Sequence, residues 1–97
     1  AQHALEVHAA LLEGPTGGTV LLVDDEPSVR KVAGEMLRRC GFSVIEAADG
    51  NQALDLCADR SDALVAVILD FSMPGLDGRE VYREMRRRGV NAPVLFA

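Results

Sequence analysis

Apolar residues in this chain come in short unbroken runs, each ended by polar or turn residues, with helical spacing between the runs. Thr19–Val23 (TVLLV) is stopped by Asp24-Asp25, the pattern of a strand buried on both faces rather than one. Glu26–Gly41 follows, with Val29, Val32, Ala33, Met36 and Leu37 forming one helical stripe. Pro27 suits its first turn and Gly41 its stop. Ser43–Ala47 predicts a second strand. Asp49–Arg60 predicts a shorter helix whose apolar residues are Ala53, Leu54, Leu56 and Cys57. Ala63–Asp70 (ALVAVILD) predicts a third strand, continuously apolar until its last residue. After a Met73-Pro74-Gly75 turn, Asp77 and Glu80 have the spacing of a capping box. The helix they open carries Val81 and Met85 and closes on Arg86-Arg87-Arg88 before Gly89. That basic run reads as a solvated last turn favoured by the helix dipole. Ala92–Ala97 begins a fourth strand.

Strands alternating with helices across short loops imply a parallel sheet with right-handed crossovers and helices on both faces. In such sheets ligands bind beyond the carboxyl ends of the strands, where the strand order reverses. The alternation starts at Thr19. Before it, Ala1–Gly14 has helix-forming composition and the Gly/Pro-rich GPTGG breaks it, so residues 1–18 read as a leader and linker and 19–97 as the domain. His3 and His8 fall in the leader and have no metal-ligand spacing.

Composition narrows the function. With 97 residues, 48% of them hydrophobic and 26% charged, the chain has ordinary globular composition and length for a single core. Aromatics are 4% and the formal net charge is −5. Neither a stacking platform for bases nor a general grip on nucleic acid is provided. Cys40 and Cys57 lack metal-site spacing and read as thiols of a reducing compartment. No apolar run approaches the roughly 18 residues of a membrane span, and the chain reads as cytoplasmic.

The chemistry gathers where the strands end. Asp24 and Asp25 close the first and Asp70 the third, and a buried, unpaired carboxylate is costly. If those strands are neighbours, as in the doubly wound order 2-1-3-4, all three acids converge at one rim. Three facing acids raise one another's pKa, and a hard divalent cation relieves the conflict. Mg2+ takes oxygen ligands and pairs protein carboxylates with phosphate, a setting in which one carboxylate attacks a phosphoryl group.

LLVDDEPSVR, the Ala48–Gly50 turn and ILDFSMPGLDG closely resemble the receiver domain of two-component response regulators, in order from about Thr19 to Ala97. The resemblance implies a flavodoxin-like (CheY-like) parallel sheet of order 2-1-3-4. It implies that Asp70 accepts a phosphoryl group from a histidine kinase or phosphotransfer protein, with at most slow self-dephosphorylation. It further implies Mg2+ held directly by Asp25, largely through water by Asp24, and by Asp70 and the Ser72 backbone carbonyl. Glu26 reads as a helix-start residue, and Gly75 as the supplier of an unusual backbone angle after the nucleophile.

Departures from the family pattern count as well. The hydroxyl residue after the fourth strand, the lysine after a fifth strand, that strand and the last helices do not occur in these 97 residues; the lone lysine, Lys31, lies on the first helix. The expectation is a piece of a longer receiver, with a hybrid sensor histidine kinase favoured over a stand-alone regulator as its source. A chain truly ending at Ala97 would expose the edge of its fourth strand and is expected to self-associate through it. Two alternatives stand beside the acceptor reading. One is a binding-only pseudo-receiver. The other, an Asp-nucleophile phosphohydrolase, needs a second acid two residues after the nucleophile, where Ser72 stands.

Overall fold

A computed structural model describes residues 17–60 and 63–97. The leader reading of residues 1–16, with His3 and His8, lies outside the described residues. Among the described residues four strands alternate with three helices: β1 (Thr19–Val23), α1 (Pro27–Arg39), β2 (Ser43–Ala47), α2 (Gly50–Arg60), β3 (Leu64–Leu69), α3 (Gly78–Arg87) and β4 (Val94–Phe96). All strand pairs are parallel, as the alternation predicts, and the order is β2-β1-β3-β4, as the resemblance implies.

Register positions the rim. Val23 lies opposite Ala47 on one side and Leu69 on the other, so β1, β2 and β3 finish level. The ladder continues one step further, with Asp24 N–H donating to the Ala47 carbonyl (3.1 Å) and Asp70 N–H to the Val23 carbonyl (2.9 Å). Residues 24 and 70 therefore leave the sheet side by side.

Parity divides the core in two. Leu21, Val23, Val67 and Leu69 face α2 and α3, where they meet Ala53, Leu54, Cys57, Met73, Val81 and Met85. Val20, Leu22, Ala66 and Ile68 face the other way, onto Leu37 and Phe42. Burial on both faces explains why β1 and β3 are continuous apolar runs instead of alternating ones.

The helices keep most of the expected signals. Pro27 occupies the first turn of α1 behind Glu26 at the N-cap, and Gly41 terminates that helix at φ +96°. The α3 capping box is complete: Glu80 N–H donates to Asp77 Oδ1 (3.0 Å) and Asp77 N–H to Glu80 Oε1 (3.3 Å). Replacing a helix-capping Asp by Ala removes an acceptor for an otherwise orphaned N–H. Asp77→Ala is accordingly expected to lower stability by about 1 kcal/mol in urea titrations; an unmoved midpoint would show that the box contributes nothing.

Two expectations need correction. The α1 stripe does not lie wholly on the core: Leu37 is buried and Ala33 and Met36 are half-buried, but Val29 and Val32 are 51% and 59% exposed. The inward line instead runs Arg30, Ala33/Gly34, Leu37, the spacing of a single helix face. The arginine run is not uniformly solvated either. Arg86 is half-buried and donates through Nη1 to the Val90 (2.6 Å) and Ala92 (3.0 Å) carbonyls, with its guanidinium 4.9 Å from the Tyr82 ring centre. It ties the α3–β4 connection to its own helix. Arg87 and Arg88 bracket Glu84 and hold its carboxyl down to about 2.

Candidate functional site

At the level carboxyl edge, the two acid-bearing loops have the same local device. Asp24 Oδ1 accepts from Glu26 N–H (2.9 Å) and Asp70 Oδ1 from Ser72 N–H (3.0 Å). Such bonds to the backbone two residues on are the natural turn chemistry of Asp. They fix each carboxylate while leaving further lone pairs available. One oxygen from each of Asp24, Asp25 and Asp70 lies within 4.8 Å of the other two. None of the three side chains is buried.

Electrostatics mark Asp70 among them. Partial burial raises its pKa; the Ser72 N–H works the other way, and the facing Asp24 and Asp25 carboxylates raise it further. Among the described residues no arginine, lysine or histidine forms an ion pair with any of the three acids. The donor set is all oxygen and anionic, which suits a hard divalent cation. Three acid oxygens within 4.8 Å of one another are near enough for side-chain adjustment to bring them round one such ion. Loops leaving parallel strands at the same height are what make that spacing available.

The turn after Asp70 is built to stay close. Met73 is buried beneath it, and Gly75 adopts φ +77°, an unusual backbone angle of the kind the resemblance implies there. Glu26 stands at the α1 N-cap, as expected for a helix-start residue.

Two residues of the site went unread in the sequence. Gly78 opens α3 against the loop that follows Asp70, its N–H donating to the Phe71 carbonyl (3.0 Å). A Cβ there would stand 2.7 Å from the Asp70 carbonyl oxygen and 2.8 Å from Phe71 Cα. Arg30, the polar residue beside the α1 stripe, donates through Nη1 to the Asp24 carbonyl at 2.7 Å and pairs through Nε with Glu46 at 3.3 Å. Its one cue in the sequence was a cation on a face otherwise turned to the sheet.

The family model for the response regulator receiver domain matches residues 20–97. The chain belongs to that family. A receiver domain is the phosphoacceptor module of two-component signalling, and both the sheet order and the fold agree with it. Response regulator MprA of Mycolicibacterium vanbaalenii is 48% identical over 77 residues, covering 78% of this chain and 32% of that protein. The receiver domain thus spans about a third of the length of the curated relatives it matches. Among solved structures, the receiver domain of the hybrid histidine kinase CckA is 40% identical with a TM-score of 0.76, over 81% of this chain and 73% of that one. The response regulator TrrA of Thermotoga maritima, solved in complex with Mg2+ and BeF, is 36% identical with a TM-score of 0.70, over 79% and 65% of the two chains. Among the described residues no helix of this receiver domain is long and apolar enough to cross a membrane.

Proposed function

We propose that Asp70 is the phosphoacceptor of this receiver domain, supplied by a histidine kinase or phosphotransfer protein, and that Asp24 and Asp25 complete a Mg2+ site beside it. The observation that carries the reading is the meeting of three carboxylates from two chain segments within 4.8 Å at the carboxyl edge. Asp25 is assigned as a direct ligand, Asp24 as a ligand largely through water, and Asp70 and the Ser72 backbone carbonyl as the remaining protein ligands. Bound Mg2+ supplies positive charge to the oxygens of the phosphoryl group and to the crowded acids.

The residues of the chain do the rest. The Asp70 carboxylate attacks phosphorus, a P–O bond forms, and the P–N bond to the donor imidazole breaks with its electron pair leaving on nitrogen. The bond from Ser72 N–H holds one Asp70 oxygen and so directs the other at the incoming group. The kinase-coupled parent, hybrid or stand-alone, is part of the same proposal, as is a cytoplasmic location. No observation favours the hydrolase or binding-only alternatives.

The test is to incubate the protein with acetyl phosphate, with and without Mg2+, and map the product by peptide mass spectrometry. The expected result is a single Mg2+-dependent acyl phosphate on Asp70. Label on another residue, or label indifferent to Mg2+, refutes the assignment.

A further inference from the structure

We propose that Arg30 is the positioning residue of the acidic loop, setting the peptide plane between Asp24 and Asp25 for the cation site, and that Glu46 holds Arg30 in place. The inference rests on the metal-site reading above. The carbonyl of Asp24 and the N–H of Asp25 belong to one planar peptide unit. Arg30 Nη1 grips that carbonyl at 2.7 Å, the short distance of a charge-assisted bond. The Glu26 N–H bond to Asp24 Oδ1 then fixes the side chain of the same residue. Between them the two bonds determine where both acids of the pair project.

Arg30 is itself held. Glu46 on β2 forms an ion pair with Arg30 on one side (3.3 Å) and accepts from Arg38 on the other (3.0 Å). The Arg30 side chain is only 18% exposed, so this fork has a fixed place between helix and strand. Gly34 lies against the arrangement. A Cβ there would stand 3.2 Å from Arg38 Nη1 and 3.6 Å from Glu46 Oε2. Glycine is otherwise a poor choice in the middle of a helix. Only a planar guanidinium can serve the carbonyl with one nitrogen and the carboxylate with another.

The proposal makes a prediction opposite in sign to simple electrostatics. A guanidinium near a cation site repels the cation, so loss of its charge alone would tighten Mg2+ binding. Loss of positioning weakens it, and groups that orient metal ligands typically matter by 10–100-fold. The experiment is Mg2+ titration calorimetry on the full protein containing this chain, with melting temperatures in EDTA measured alongside. Arg30→Met is expected to weaken Mg2+ about tenfold and Glu46→Gln by a smaller factor, both with little change in the EDTA melting temperature. Arg30→Lys, which keeps one charged donor, is expected to recover part of the affinity. Unchanged or tighter binding by Arg30→Met overturns the proposal. So does weakening matched by an equal loss of Mg2+-free stability in both variants, which would make the pair mere fold stabilisers. A wild-type protein that binds no Mg2+ strikes the metal-site reading itself, and the positioning role falls with it.

Discussion

Asp70→Asn is expected to yield no acyl phosphate above background and, at the same time, to melt higher than wild type in Mg2+-free buffer at neutral pH. The first half follows from replacing the oxyanion proposed to attack by an amide. The second follows from the crowding of the three acids, since desolvation and the facing Asp24 and Asp25 raise the Asp70 pKa in the folded protein. A carboxyl whose pKa rises on folding binds more protons in the native than in the unfolded state, so stability falls as pH increases through the window between the two values. Above that window the full cost is present, and Asn, uncharged and still able to accept from Ser72 N–H, removes it. The advantage of the variant is expected to shrink as pH drops through the ordinary carboxylate range, where wild-type Asp70 becomes protonated as well. Saturating Mg2+ is expected to narrow the gap from the other side, because an ion that binds only the native state stabilises it. Thermal melts at several pH values, with EDTA and with Mg2+, check all of this. A variant that melts at or below wild type in EDTA at neutral pH would show that the acids do not strain the fold.

Gly78→Val is expected to lower stability by about 3 kcal/mol and to displace the loop that follows Asp70. The obstacle is backbone on both counts, the Asp70 carbonyl and Phe71 Cα, and backbone cannot rotate away as a side-chain tip can. Overpacking of this kind typically costs 1–3 kcal/mol, occasionally more, with local shifts. The shift here would fall on the residue proposed to react. Urea unfolding reads the stability change, and the rate of acetyl phosphate labelling reads the displacement. A variant with wild-type values for both would mean that α3 can withdraw from the loop without consequence.

Gly78 and Arg30 also show what the sequence left unread. The sheet was legible because buried parallel strands carry a strong one-dimensional signature, apolar runs stopped by acids. The acid cluster was legible because acids end the first and third strands and the resemblance to receiver domains implies the order that makes those strands neighbours. Contacts that depend on how closely two elements approach have no such signature. Gly78 read as a cap neighbour, although its missing side chain is what admits the Asp70 loop. Val29 and Val32 counted toward the core by spacing alone, yet the helix turns Arg30 inward and leaves both of them exposed. Arg86 looked like its two neighbours in the run and differs from them only because the α3–β4 connection folds back beneath it.

The level ending of β1 and β3 has a consequence for how such a chain can change over time. Deleting one residue within either strand would invert every side chain beyond it and withdraw an acid from the rim, whereas an added residue between α2 and β3 alters neither height nor facing. Insertions and deletions are therefore tolerable in the connections at the far end of the sheet and forbidden inside the two strands. The reach of those strands serves as the gauge to which the reactive edge is cut.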